Sequence, residues 1–274
     1  MRQSLEVILK PRSGWQPIDW RELWSARELF MFLVWRDIKI RYRQTVLGGL
    51  WAVLQPLLAM LIFTFFFNRL VGINADGPPY PLFAYTGLVL WTFFSNAVSM
   101  SSNSLVGNQV LVSKVYFPRI FIPTASIGAL TLDLLIGLIL LGFLLIYFRW
   151  PPAPSAILFP IYVLGTGLAA SGLGCALSAL NVRFRDVKYV VPFLIQMGLF
   201  VSAVIYPMSY VPERYQPLMA LNPMVGLIEG FRSAILGGPT NWSLVGISFA
   251  SSALCFIGGV VLFARMERQF ADII

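Results

Sequence analysis

Histidine is missing altogether from this 274-residue chain, which removes imidazole general bases, His-based triads and histidine-ligated metal sites. Cysteine is nearly missing. Cys175 and Cys255 both lie in apolar runs and read as small buried side chains, not as a disulfide or a metal site. Charge is scarce too, at 12% of residues against roughly 25% in an ordinary soluble domain, too little to cover a water-soluble globule of this length. No GxxxxGK[ST] loop occurs and no GxGxxG follows a strand, so the chain is not expected to bind or hydrolyse nucleotide by itself. No catalytic residue, cofactor or metal is therefore assigned to it. Residues 1–29 mix charge, Trp and Pro and lack a signal peptide's basic start and short apolar stretch, so this segment is expected to stay on the protein, in the cytoplasm.

What the chain does have is apolar residues, 58% of the total with a mean hydropathy of +0.76. A bilayer-spanning helix needs about 20 of them in succession. Six runs qualify: about 48–69, 81–103, 121–148, 156–180, 189–207 and 243–264. The expected fold is all-α: one polytopic membrane domain over 1–274, with an N-terminal segment 1–47, a six-span region 48–264 and a tail 265–274. Six spans place both termini on one side. Of the twenty Lys and Arg, sixteen then fall on that side and only Arg69, Arg149, Arg214 and Arg232 on the other. This is the asymmetry expected when the termini are cytoplasmic. Topology and anionic lipid headgroups thus account for the net charge of +8. No nucleic-acid partner is expected, because the basic residues are spread over four cytoplasmic segments without a nucleic-acid-binding module.

Two segments read as helical without crossing. Ile18 to Thr45 alternates Trp, Leu and Phe with Arg, Glu and Lys at helical spacing, which predicts an amphipathic helix or two along the cytoplasmic membrane surface. Residues 208–240 are broken by Pro212, Pro217, Pro223, Gly237, Gly238 and Pro239, and their apolar stretches, Pro212 to Leu221 and Met224 to Leu236, are too short to cross. They are expected to dip into the outer leaflet as re-entrant helices, with backbone satisfied by protein or water. Asn222 and Pro223 then sit at a turn, and Glu229 and Arg232, three residues apart, can pair. This hairpin is the expected outer gate, so cysteines placed at Met224 or Leu227 are expected to react with membrane-impermeant reagents from outside.

Within the spans, polar residues line up. At 100° per residue, Trp51, Gln55, Leu58, Ile62, Phe66 and Arg69 fall within roughly 80° of arc in the first span. Tyr85, Thr92, Asn96, Ser99 and Asn103 form a stripe in the second, and Tyr189, Phe193, Gln196 and Phe200 in the fifth. Such faces should point into the protein. An aromatic and amide-lined path suits a sugar chain, whose C–H faces pack on rings while its hydroxyls bond to amides; the other reading is helix packing. The candidate path residues are Trp51, Gln55, Phe66, Arg69, Tyr85, Asn96, Phe193, Gln196 and Phe200. Asp133 is the one acidic residue inside a span, where an unpaired charge costs roughly 2.5–3.5 kcal/mol. It reads as a proton or ion relay, or as a carboxylate near a helix end or paired with a polar neighbour such as Thr131; with one acid and no histidine, the relay is the less favoured reading. Gly165, Gly167, Gly172 and Gly174 in the fourth span mark a close-packing surface.

Three stretches carry a family resemblance: Asn108-Gln109-Val110-Leu111-Val112-Ser113-Lys114-Val115-Tyr116-Phe117-Pro118-Arg119 with Pro123; Val182-Arg183-Phe184-Arg185-Asp186-Val187 with Pro192, Gln196 and Ile205-Tyr206-Pro207; and Leu221-Asn222-Pro223-Met224 with Glu229 and Phe231-Arg232. With six spans and an amphipathic N-terminal segment, nearly the whole chain resembles the permease subunits of type-2 ABC exporters, in the branch that exports O-antigen, capsule and teichoic acid polysaccharides. It departs at Ser202-Ala203, where the family often has Ser-Pro and a kink. The resemblance implies a homodimer in the bacterial inner membrane, bound to two copies of an ATP-binding subunit that supplies ATP and Mg, and moving a polyprenyl-diphosphate-linked glycan from the cytoplasm.

On this reading Lys114, Phe117, Pro118 and Arg119 form a short coupling helix seated in the ATPase, the alternative being a solvated charged turn. Arg183, Arg185, Asp186 and Lys188 contact the ATPase, hold a lipid-linked headgroup, or simply set topology. The rival readings are a type-2 exporter of drugs or other lipids, a passive channel, and a membrane glycosyltransferase, which would need clustered carboxylates that the loops lack.

Overall fold

A computed structural model describes residues 20–43, 49–75, 77–267 and 270, and among them the regular structure is entirely helical. Two helical pieces come first, α1 (Trp20–Ser25) and α2 (Arg27–Tyr42). Next come α3 (Leu50–Phe63), which runs on as a π-helix over Thr64–Leu70, and α4 (Tyr80–Gly107). A short α5 (Gln109–Lys114) leads to α6 (Phe121–Tyr147). A 3-10 turn over Pro154–Leu158 opens α7 (Phe159–Arg183), followed by α8 (Val187–Val201). The chain closes with α9 (Gln216–Ala220), α10 (Pro223–Leu236) and α11 (Trp242–Met266).

Five of these helices are long and apolar enough to cross a bilayer: Leu50–Leu70, Tyr80–Gly107, Phe121–Tyr147, Pro154–Arg183 and Trp242–Met266. The expected fifth span, 189–207, is the exception. Its helix α8 has 15 residues, about 22 Å at 1.5 Å per residue, against a hydrocarbon core of about 30 Å. The chain leaves the helix at Ser202 even though this sequence has no proline there, and Ala203 takes φ 51°, a left-handed conformation that costs a non-glycine residue roughly 1–2 kcal/mol.

α4 is the central post of the molecule. Of its most apolar stretch 78% is buried within the chain, against 11% for Leu50–Leu70. Its neighbours α6, α7 and α10 meet it through Leu82, Tyr85, Leu90, Leu130, Ala169, Leu227 and Phe231, all buried in one cluster. The glycine-rich α7 packs as its composition predicts. A Cβ on Gly174 would fall 2.7 Å from the Ser101 Cβ, and Gly172 and Gly259 bring the backbones of α7 and α11 together with no space for a methyl group on either. Gly167 differs from its three companions, facing open space. Both cysteines are free thiols, Cys175 buried and Cys255 half-buried.

The N-terminal helices form where the Trp, Leu and Arg periodicity places them. α2 lies on α6, with Leu33 buried and Val34 against Gly128, and Asp37 bridges Arg36, at 2.8 Å, and the Ser126 hydroxyl, at 3.2 Å. Its outer face is not simply polar: Met31, Phe32 and Trp35 project unpacked beside the charged residues. Thr45 and the other residues of 44–48 lie outside the described residues, as do 1–19.

Candidate functional site: a mixed polar and aromatic cavity beside the α4 post

A cavity of about 180 Å³ opens between the end of α2, the first turns of α3, and the facing sides of α4 and α6. Four of the nine candidate path residues line it: Trp51 and Gln55 from α3, Tyr85 and Asn96 from α4. The spacing explains the grouping, since positions 51 and 55, one helical turn apart, share a face. Tyr85 contributes differently from the others. It is fully buried, and its hydroxyl donates to the Gly137 carbonyl at 3.1 Å, so its polar group is spent on joining α4 to α6. Trp51 and Gln55 are exposed, with side-chain surface available to a ligand.

The same cavity contains the partners of Asp133. One carboxylate oxygen is 2.6 Å from an Arg41 Nη2 and the other accepts the Tyr42 hydroxyl. Arg41 also donates to the Met100 sulfur at 3.1 Å. Burial first, then the hydrogen bond to Asp133, pushes the Tyr42 hydroxyl up to about 12, so it stays a donor throughout the physiological range. Asp133 is thus a paired carboxylate, but Thr131 is not its partner. Two residues apart on a helix are about 200° around the axis, and Thr131 is exposed. Arg41 and Tyr42 are site residues that the sequence reading passed over. Their signal was there: a basic, aromatic end to the amphipathic segment, opposite the one acid buried in a span.

The remaining path candidates are not in this cavity. Phe66 and Arg69 sit on the exposed π-helical end of α3, and Phe193, Gln196 and Phe200 on the exposed face of α8. The structure brings together one set on α3 and α4 and leaves a second set on the π-helical end of α3 and on α8.

The 108–119 stretch differs from expectation in register. Its helix is α5, which ends at Lys114 where the coupling helix was expected to begin, and 115–118 is non-helical. Phe117 is only 8% exposed and packs with Leu33, Val112, Phe121 and Phe263. Arg119 donates a guanidinium N–H to the Glu267 carbonyl at 2.7 Å, and Pro118 is half-buried between them. The groups turned outward are Gln109, Val110, Ser113, Lys114, Val115 and Tyr116. Arg183, Arg185, Asp186 and Lys188 are all exposed at the α7–α8 corner, with Arg183 over the Phe184 ring and Lys188 over the Tyr189 ring.

The 208–240 segment, expected as the outer gate, has the expected turn. Asn222 caps α10, its side-chain oxygen accepting from the Met224 N–H at 3.0 Å, and Pro223 occupies the first helical position. Glu229 and Arg232 pair at 3.7 Å. The surroundings differ, because α10 is sheathed by protein. Every residue of Met224–Leu236 except Glu229 is buried, so Met224 and Leu227 present no surface to a reagent in this chain. Three groups of the α6–α7 loop close its far end: Ser155 Oγ, Ala153 N and Trp150 Nε1 donate to the carbonyls of Ala234, Ile235 and Leu236 at 2.9–3.0 Å. Arg232 itself is 4% exposed and faces backbone carbonyls instead of water.

The family model described as ABC-2 type transporter matches residues 28–236. The chain belongs to the ABC-2 type transporter family. As a member it is a multi-pass membrane protein and a transport component. Among named relatives, the O-antigen export system permease protein RfbA of Klebsiella pneumoniae is 27% identical over 248 residues, covering 90% of this chain and 95% of that protein. RfbA of Myxococcus xanthus is 31% identical over 257 residues, 92% of this chain and 97% of that one. The polysialic acid transport protein KpsM of Escherichia coli is 26% identical over 243 residues, 86% and 93%.

Proposed function

We propose that this chain is the permease subunit of an exporter that carries a polyprenyl-diphosphate-linked polysaccharide of O-antigen type from the cytoplasm across the bacterial inner membrane. It works as a homodimer with both termini cytoplasmic, six passes per copy, and two copies of a separate ATP-binding subunit that hold the ATP and Mg. The observation that carries this reading is the near full-length likeness to permeases named for O-antigen export and polysialic acid transport. The cavity supports it. Trp51 offers a ring face, Gln55 and Asn96 offer amides, and the Arg41–Asp133 pair offers fixed charge, a combination suited to a hydroxyl-rich ring and poorly suited to a purely apolar drug. In this reading the exposed Lys114, Val115 and Tyr116 meet the ATP-binding subunit, Arg183, Arg185 and Lys188 meet that subunit or an anionic headgroup, and Met31, Phe32 and Trp35 rest α2 on the cytoplasmic leaflet.

The test is to purify the chain with the ATP-binding subunit encoded beside it, reconstitute the pair in lipid, and measure hydrolysis with and without lipid-linked glycan from the same cell. Stimulation by the glycan and not by the bare polyprenyl phosphate is expected. Stimulation by small amphipathic drugs in its place would move the assignment to a drug exporter, and hydrolysis indifferent to every glycan would refute it.

A further inference from the structure

The turn that ends α8 carries more than a change of direction. Ser202, Ala203, Val204 and Ile205 are each at most 2% exposed; the Ser202 N–H makes the last helical bond, to the Gly198 carbonyl at 2.8 Å, and the left-handed Ala203 then turns the chain out of the helix. Buried carbonyls need donors, and here the donors come from α4 and α10. Asn222 Nδ2 reaches Ser202 Oγ at 2.9 Å, and Tyr80 donates its hydroxyl to the Ile205 carbonyl at 2.7 Å. Arg232 serves the two carbonyls between them, Nη1 donating to Ala203 at 2.9 Å and Nη2 to Val204, while its Nε donates to Phe83 of α4 at 3.2 Å. The guanidinium lies over the Phe83 ring, 3.7 Å from its centroid.

We propose that Arg232 is a positioning residue for export: it fixes the outer end of α8 against α4 and α10, and so sets where Phe193, Gln196 and Phe200 stand. This goes beyond the transport reading above and rests on it only for the word export. The case is one of leverage. Along its length α8 fully buries Val191 alone, with Val187, Ile195 and Leu199 partly buried against the core, and Gly198 packs close to the Trp91 ring. With so little lateral packing, the tilt of α8 depends on how its ends are held, and at the outer end the largest holder is one guanidinium. Only a planar fork with five N–H donors can reach three carbonyls on two elements and stack on a ring at once; a lysine is a single point of charge. Gly87 adds an independent sign of the role. A Cβ there would overlap the Arg232 guanidinium and come within 2.9 Å of the Val204 carbonyl, so glycine leaves the slot through which the clamp closes.

The test uses the reconstituted complex of this chain with its ATP-binding subunit and two variants that dislodge the guanidinium from opposite sides, Arg232→Lys and Gly87→Ala. Hydrogen–deuterium exchange is followed peptide by peptide. Losing a hydrogen bond to a charged group should raise exchange over 198–206 by roughly tenfold or more, with α7 and α11 exchanging as in the parent. The amount of glycan exported per ATP hydrolysed should fall in both variants. A fold-maintaining arginine with no positioning role would behave otherwise: protection would drop throughout the bundle, or stay unchanged over 198–206, and either result overturns the proposal. The exchange measurement is independent of cargo. Local loosening without any glycan dependence in the parent would therefore fault the transport reading and leave the clamp standing, whereas normal export per ATP with a loosened turn would refute the positioning role.

Discussion

Replacing Arg41 by methionine tests whether Asp133 is a structural pair. The perturbation leaves a carboxylate whose side chain is 13% exposed facing a cavity with only the Tyr42 hydroxyl to satisfy it. Breaking a fully buried pair costs about 3–5 kcal/mol, an exposed one about 0.2–1 kcal/mol. Arg41 is 31% exposed, so solvent screens part of the interaction and the loss should be about 2 kcal/mol. For a chain of this size that lowers the melting temperature by roughly 4–8 °C. The informative variant is the double one, Arg41→Met with Asp133→Leu, which removes both charges and fills the space with apolar groups of similar volume. It should recover most of the loss, to within about 1 kcal/mol of the parent, because the cost lies in the orphaned charge and not in the missing attraction. Thermal unfolding of the four proteins in one detergent gives the cycle. Simple additivity of the single changes, or an Arg41→Met protein that melts with the parent, would refute the pairing and return Asp133 to the reading of an ion relay.

Other outcomes follow from the same geometry. Trp51→Ala and Gln55→Ala should cut export several-fold with little change in melting, because both side chains are exposed in the cavity mouth; Tyr85→Phe should do the reverse, losing about 1 kcal/mol of stability with its bond to Gly137. Lys114→Glu with Tyr116→Ala should weaken co-purification with the ATP-binding subunit, whereas Phe117→Ala should cost about 3–5 kcal/mol of stability by opening a core cavity, so an Ala variant at 117 that is stable yet uncoupled would overturn the outward-facing assignment. Gly259→Ala should lower melting sharply, since no methyl group fits between α11 and the α7 backbone, while Gly167→Ala, in open space, should be neutral or slightly stabilising.

The spans other than the fifth were legible because lipid imposes one requirement that composition alone can express: an unbroken apolar run long enough to cross. The fifth was not, because Val204, Ile205 and Tyr206 continue the apolar run past the end of the helix. An apolar residue in a buried turn and one in a helix look the same in a list of side chains. What ends α8 is a set of donors on Tyr80, Asn222 and Arg232, far away in sequence, and no local pattern announces them. Phe117 was misjudged for a local reason. In the non-helical stretch after α5 the neighbouring aromatics have opposite fates, Tyr116 outward and Phe117 inward, as successive residues of an extended chain do; a helical reading of 114–119 hides that alternation. Arg232 was assigned the right partner, Glu229, and the wrong environment. Three-residue spacing predicts a pair on a helix but says nothing of what surrounds it.

These differences share a cause with consequences for transport. The residues of α4, α7, α10 and α11 bury one another: glycines let α7 and α11 touch backbone to backbone, the α6–α7 loop closes one end of α10, and Asn222 closes the other. Interiors packed in this way transmit displacement and do not absorb it. By contrast α3 and α8 expose most of their length and carry Trp51, Phe66, Phe193 and Phe200 on it. Stability and mobility are therefore divided along the chain: few buried contacts mean a low cost of local displacement, and α3 with its π-helical end and α8, which have few, carry seven of the nine candidate path residues, while Tyr85 and Asn96 stand on the α4 post. A path that must widen for a bulky chain and close behind it needs walls of this kind set against a frame that does not yield. The Arg232 clamp and the Arg41–Asp133 pair then have corresponding places. Each ties a segment at a single charged point, the end of α8 to α4 and α10 through the buried Arg232 and the end of α2 to α6 through the partly exposed Arg41–Asp133 pair, so that movement is confined to the lengths between.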